Sequence, residues 1–454
     1  MPTRPKKVTM DTNALNIINA IRNNASNDYK DYVPPITDIS ELRAIGKIIM
    51  DVPAIQNEFL SCLINRIALV RISSKLFENP WAKFKRGYLE YGEVIEDVFV
   101  DLVKVFEFDP DDAEQTLFKR VPPDVRAAFY VMNYQKHYDV TIERQRLAKA
   151  FLSASGMNDL ITYIMTAIYT SAAYDEFITM KYMLARNILN SRLYPVEIPA
   201  VTKANMTDIV ATIKGMSNTI EFPARQYNPA HVFQHTAKDN QYLIINAKFD
   251  AQMDVNVLAS AFNMDKANFM GHRVPIDTFA VNSLESERLD ELFADDPNYV
   301  RISDAEYEAL DSLPLCLVDE NLWMVYDNLN EFREVENGKG LYWNYFYHQW
   351  KTFATCPYSN AILFVPMTPS VTSVTVTPAT ATVAKGTSLA LTTVVEVTGY
   401  ASKEVTYTSD KDGVTITEGG VVQIDADTEA SSATITVASV FDPTVTDTVT
   451  LTIS

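Results

Sequence analysis

The chain has 454 residues, enough for two or three domains at about 150 residues each, and its 47% hydrophobic and 21% charged residues exclude a disordered polymer. Lys and Arg number 39 against 58 Asp and Glu, so the formal charge is −19, which argues against a protein whose affinity comes from neutralising phosphates. Three scattered cysteines, Cys62, Cys316 and Cys356, suit neither a disulfide framework nor a zinc site.

In chain order, residues 1–13 (MPTRPKKVTMDTN) carry basic groups with no apolar stretch behind them, so no secretory signal is expected. Asp51 is placed to cap a helix on which Ile55, Phe59, Leu63 and Ile67 follow the helical period, with Pro53 in its first turn. Residues 84–106 are rich in Val, Tyr and Phe, and the chain returns through 125–142 after an acidic, proline-bearing stretch. Between Met132 and Ile142 the alternation is nearly strict. Met132, Tyr134, Tyr138, Val140 and Ile142 share one face with Lys136, while Asn133, Gln135, His137, Asp139 and Thr141 share the other. This predicts a long two-stranded arm with one sticky face, and such an arm calls for support from another subunit. At its root, Lys83, Lys85 and Arg86 form a compact basic cluster. They read either as a solvated strand end or as an inter-subunit contact with an acidic loop such as Glu93, Glu96 and Asp97 of a neighbour.

A second helix is expected from about 159 to 189. Leu160, Ile164, Ala167, Ser171, Tyr174, Phe177, Leu184 and Ile188 form one stripe, interrupted at Lys181. Some 30 residues give a rod about 45 Å long, the length of a spine against which other elements pack. Its uncharged run, 160–174, reaches only about 22 Å, short of the roughly 30 Å of a bilayer core, so no membrane partner is expected.

Residues 205–365 read as an α/β region. Helices are expected near 206–218 and 256–263, and strands at 242–249, 273–279, 315–318 and 323–326. Asn337-Gly338 turns the chain into an aromatic strand, 341–353, whose two aromatic faces suit burial between layers. Residues 283–312 form an acidic, locally helical insert. The boundary falls at 366–369. Beyond it, residues 370–454 hold 21 Thr and 15 Val and no Cys, Trp, His, Met or Arg; three Lys against ten acids leave −7 there and −12 on the rest. Short β-branched runs at 371–377, 388–397, 404–409, 420–424, 433–438 and 446–453, punctuated by glycines, predict an antiparallel sandwich.

Site chemistry is sparse. His231 and His235 have the spacing of helical zinc ligands, but Val232 stands where the glutamate base would be, and no third ligand is apparent. Asp109, Asp111, Asp112 and Glu114 lack the glycine and the twelfth-position glutamate of a calcium loop, and Asp425, Asp427 and Glu429 read as a solvated acidic end. No phosphate loop, dinucleotide fingerprint, nucleophile elbow or Cys/His dyad occurs. The expectation is a non-enzyme without cofactor or metal.

Several stretches carry a resemblance: Asn19 to Asn23 (NAIRN), Tyr32-Val33-Pro34, Lys83 to Gly87 (KFKRG), Ala261 to Met264 (AFNM), Val325 to Leu329 (VYDNL) and Gly340 to Tyr345 (GLYWNY). By these, residues 1–365 resemble the major capsid proteins of the small podoviruses of the phi-29 group. Residues 370–454, through Val374 to Pro378 (VTVTP), Lys385-Gly386-Thr387 and Ala433 to Val437 (ATITV), resemble a group-two bacterial immunoglobulin-like domain. The resemblance implies an α+β chain with the Hong Kong 97 type of capsid fold: an N-arm over about 1–50, an E-loop over about 84–142, the 159–189 spine helix, and an axial domain with returning peripheral strands over about 205–365. After a 366–369 linker comes the immunoglobulin-like sandwich. The implied function is a shell subunit that self-assembles, as hexamers and pentamers, into the icosahedral or prolate head of a tailed double-stranded DNA phage. Implied partners are a scaffolding protein, a portal or connector, and DNA enclosed without sequence-specific binding, with weak host-surface contact through 370–454. The implied location is the virion, with assembly in the host cytoplasm. Assembly residues carried from the arm and its root are Lys83, Lys85, Arg86, Glu93, Glu96, Asp97, Tyr134, Lys136 and Tyr138. The insert at 283–312 and Pro122-Pro123 depart from the family pattern. A bacterial surface adhesin with one immunoglobulin-like module is the alternative.

Overall fold

A computed structural model describes residues 10–67, 77–90, 93–107, 118, 120–151, 156–254 and 272–454. The chain divides into two compact units. One gathers the chain up to Val94, Val131–Thr179 and Val325–Phe353; the other gathers Ile95–Tyr130, Met180–Met324 and Ala354–Ser454. The first eleven strands are β1 Lys85–Tyr88, β2 Ile95–Val100, β3 Val125–Tyr130, β4 Tyr134–Glu143, β5 Tyr194–Glu197, β6 Gln241–Asn246, β7 Arg273–Ile276, β8 Leu315–Asp319, β9 Trp323–Asn337, β10 Tyr342–Thr355 and β11 Ala361–Val365.

The first unit sets helices Met10–Asn24, Leu42–Asp51 and Pro53–Ile67 and the start of the long helix Gly156–Leu189 against a four-stranded sheet, ordered β1-β9-β10-β4. Alternate residues of β10 are buried, and Trp343, Tyr345 and Tyr347 join Ile18, Ile49, Phe59, Leu60, Ile164 and Ile168 in one core. Two side chains bind the N-terminal helices together. Asn19 exchanges two hydrogen bonds with the Ile36 backbone (2.8 and 2.9 Å), and Ser26 caps the helix Asn27–Tyr32 while donating its hydroxyl to Glu58 (2.9 Å). Asp51 is the last residue of one helix rather than the cap of the next. Pro53 opens that next helix, because its missing N–H would go unbonded in a first turn anyway.

The expected arm takes a different form. Only β2 and β3 pair with each other, over Ile95↔Tyr130 to Val100↔Val125. β4 instead pairs antiparallel with β10 along ten residues, from Glu143↔Tyr342 to Tyr134↔Lys351. The alternation of 132–142 is present, but its tyrosine face is covered by the helices of its own unit. β10, aromatic and longer than β4, supplies the ladder.

In the second unit a five-stranded sheet, β5-β11-β8-β6-β7, has β8 and β11 buried along their whole length. Helix Met206–Thr219 packs Ile209 and Ile213 onto Leu243, Ile245, Leu317 and Phe364. β6 ends at Asn246, whose side chain caps the helix Ala247–Met253, so the strand expected to run to 249 is cut short. The helix expected at 256–263 lies outside the described residues. The 283–312 insert folds as helices Ser283–Leu292 and Asp304–Asp311, each opened by a reciprocal capping box, Asn282 with Glu285 and Ser303 with Glu306.

Residues 370–454 are all-β: β12 Ser370–Thr377, β13 Thr380–Val383, β14 Ser388–Ala390, β15 Thr392–Thr398, β16 Val405–Ser409, β17 Val414–Ile416, β18 Val421–Ile424, β19 Ser432–Ser439 and β20 Thr446–Ile453. They form ladders β12-β15, β13-β20-β19-β16 and β14-β18-β17 around Val374, Val376, Val422, Ile435, Val437, Val449 and Leu451, with threonines alternating outward. β13 and β17 were not expected, and the expected strand 388–397 breaks at buried Leu391. All three cysteines are free thiols. Among the described residues, no helix is long and apolar enough to cross a membrane.

Candidate assembly surface and the buried charge sites

The β2–β3 hairpin has two unlike faces. Its inner row, Ile95, Asp97 and Phe99 with Arg126, Ala128 and Tyr130, is fastened to its own unit. Phe99 packs on Tyr358 with ring centroids 5.7 Å apart, and Arg126 donates to the Ala230 carbonyl at 2.7 Å. Arg225 donates to Asp101 at 2.5 Å, and Tyr130 donates its hydroxyl to Asp97 at 3.2 Å. The backbone N–H of Leu102 and the Arg225 guanidinium hold the Asp101 carboxyl below the usual aspartate range.

The outer row is Glu96, Val98 and Val100 opposite Phe129, Ala127 and Val125. Val98, Val100, Val125 and Phe129 are each at least half exposed. The apolar run goes on through Leu102, Val103, Val105 and Phe106, with Val105 95% exposed. Single exposed apolar side chains are ordinary; here they form a contiguous row on an anchored hairpin.

The residues expected to serve assembly are dispersed by the fold. Glu96 lies on the outer face beside Phe129, whereas Asp97 points inward to Tyr130, so the two do not share an acidic surface. Glu93 is exposed and accepts from the Glu90 N–H at 3.2 Å. Lys83 is exposed, its ammonium 5.4 Å from the Phe84 ring centroid; Arg86 and Lys136 are half-buried.

Lys85 turns into its own unit. Its ammonium pairs with Asp327 at 2.6 Å and Glu176 at 3.1 Å in the same protomer, because β1 lies beside β9. Lys351 pairs with Glu176 as well and reaches Asp327 at 3.4 Å, and Asn79 donates to Glu176 at 2.6 Å. Two ammoniums thus balance two carboxylates. Burial alone would raise the Glu176 carboxyl, but Lys351 and Lys85 outweigh it and hold it below the ordinary glutamate range. Tyr134 and Tyr138 also turn inward. Both are buried, with their hydroxyls 3.0 Å apart, and Tyr138 donates to Asp175 at 2.9 Å. Burial pushes the Tyr138 hydroxyl far above its usual value.

Glu176, Asp327 and Asp175 carried no signal in the sequence. Lys181 did, as the break in an apolar stripe. It is 1% exposed, held by Glu285 at 3.0 Å and Asp277 at 3.1 Å. His231 pairs with Glu404, a contact that raises its pKa, and His235 is exposed. Asp425, Asp427 and Glu429 are exposed, and 109–114 lie outside the described residues. Among the described residues, no three or more His, Cys, Asp or Glu gather as for a metal ion.

The family model of the Phi29-like phage major capsid protein matches residues 18–365. The major capsid protein of Bacillus phage B103 is 34% identical over 424 residues, 91% of this chain and 88% of that protein. That of Bacillus phage PZA is 32% identical over 426 residues, 92% and 88% of the two. Among solved structures, the capsid structure of Staphylococcus phage Andhra aligns at a TM-score of 0.49 and 14% identity, over 66% of this chain and 86% of that one. The adhesin alternative finds no support in these relatives. The chain belongs to the Phi29-like phage major capsid protein family: it is a structural protein of the virion capsid and not an enzyme.

Proposed function

We propose that this major capsid protein closes its shell by laying the outer face of each β2–β3 hairpin on a neighbouring copy. The observation that carries the reading is the exposed row Val98, Val100, Val125 and Phe129 on a hairpin whose other face is already fixed. Complete burial of such a side chain contributes about 1.5–3 kcal/mol. Half-exposed as they are, the four together contribute on the order of 4 kcal/mol, a sum that the entropy cost of association offsets. One pair of copies therefore stays weakly bound. A closed lattice, where every copy both gives and receives such contacts, is stable.

The same reading assigns the chain the Hong Kong 97 type of capsid fold, with an N-arm to about residue 50, an E-loop over about 84–142, a spine helix over about 159–189 and an axial domain with returning strands over about 205–365. Residues 370–454, past a 366–369 linker, are an immunoglobulin-like domain of group two. Copies associate as hexamers and pentamers with a scaffolding protein and a portal, and the head, icosahedral or prolate, encloses double-stranded DNA. The charge of −19 supports that role, since a container that gripped phosphates would hinder packaging and exit.

The test is assembly. Wild type and a Val98→Asp/Phe129→Asp variant are expressed with a scaffolding partner, then compared by sedimentation velocity and electron microscopy of the fast fractions. Wild type is expected as shells and the variant as small oligomers or monomers, with an unchanged melting temperature. Variant shells at wild-type yield would remove the hairpin from assembly.

A further inference from the structure

The outer face of the β4–β10 ladder carries an arrangement that shell building does not call on. In the antiparallel register His137 lies directly opposite His348, with Asp139 opposite Phe346 on one side and Gln135 opposite Trp350 on the other. Both histidines belong to the row that faces away from the buried core: His137 has 55% of its side chain exposed, and His348 is half-exposed. The two imidazoles stand side by side with ring centroids 5.6 Å apart and planes inclined by 37°. Asp139 brings a carboxylate oxygen to 3.5 Å from His137 Nε2.

We propose that His137 and His348 form a two-imidazole chelate for a borderline transition-metal ion of the zinc, nickel or copper class. The geometry is the first argument. At metal–nitrogen distances of about 2.0–2.1 Å, two imidazoles on one tetrahedral ion hold their ring centres roughly 5 Å apart, within a small rotamer adjustment of the separation seen. The strands are the second. Directly opposite residues of a ladder keep their Cβ atoms about 4.5–5.5 Å apart, so the backbone presets both ligands and little ordering is left for the ion to impose. Charge is the third: Asp139 supplies a negative neighbour for a cation held by two neutral ligands. With two protein ligands the remaining coordination positions belong to water, which sets this apart from a closed structural site. Imidazole nitrogen selects this class of ion over magnesium and calcium, whose preferred ligands are oxygens.

Trp350 makes the site measurable. It lies two residues along β10 from His348 on the same face, about 7 Å away along the strand, while Trp81, Trp323 and Trp343 are buried. The experiment titrates the unassembled full chain with Cu2+, Ni2+ and Zn2+, reading tryptophan quenching for Cu2+ and Ni2+ and calorimetry for all three. One ion per chain is expected, with Cu2+ bound most tightly. His137→Ala and His348→Ala should each weaken binding at least tenfold and Asp139→Asn about threefold. A His231→Ala/His235→Ala variant should bind as wild type does. Circular dichroism and melting check that each variant is folded. Binding that survives both ladder substitutions, or that follows His231 and His235, overturns the proposal, as does a wild type with no binding below millimolar ion.

Discussion

Glu176 is the residue on which the first unit's buried charges depend. Its carboxylate faces Lys351 and Lys85 and accepts from Asn79, at 6% exposure. Glu176→Gln keeps the shape but leaves two ammoniums to Asp327 alone, and breaking a buried pair in this way costs about 3–5 kcal/mol. Thermal unfolding at neutral pH should show that loss. The pH dependence has a definite sign. The folded-state pKa of Glu176 lies below the usual glutamate value of 4.5, so its contribution is complete above that value and disappears as pH falls through the folded pKa. The gap in melting temperature between wild type and Glu176→Gln should therefore close on acidification; a gap unchanged at low pH would mean that the ion pairs contribute nothing. None of this could be read along the chain. Lys351 and Glu176 are 175 positions apart, and only the fold brings them together. What the sequence could show was an anomaly, Lys181 in an apolar stripe and Lys351 in an aromatic strand. Each proves to be a cation buried against carboxylates.

At the level of elements, the helices were legible where one face is apolar. The expected 159–189 helix is observed as Gly156–Leu189, and 206–218 as Met206–Thr219. Strand partners were less so. Alternation tells which side chains share a face but is silent about what covers it. The tyrosine face of 132–142 thus read as sticky surface and is core instead. β13 and β17, four and three residues long, fall below any periodic signal. One close approach gives a direct test of the helical packing. Gly46, in helix Leu42–Asp51, lies under Phe151, and a Cβ built on it would stand 2.5 Å from the Phe151 Cβ. Gly46→Ala forces that contact apart, and overpacking of this kind costs about 1–3 kcal/mol despite the better helix propensity of alanine. A melting temperature equal to or above that of wild type would show that the two segments can slide.

For the molecule as a whole, the capsid region was readable because it carries motif-dense stretches. The exposed apolar face of the β2–β3 hairpin was not, since exposure is a property of the folded chain. Residues 370–454 have their own core of Val, Ile and Leu, which supports removing them without disturbing the capsid region. Chains ending at residue 369 should still assemble into shells by electron microscopy, with reduced adsorption of the resulting heads to host cells. Normal adsorption would show that the region takes no part in host contact. The composition of that region has a further effect, on chemical ageing. Its strands turn valine inward and threonine outward and carry no Met, Cys, Trp or His, the side chains that peroxide and metal-catalysed oxidation attack first. In a virion, with no repair enzyme to reduce a sulfoxide, that region leaves almost nothing to oxidise.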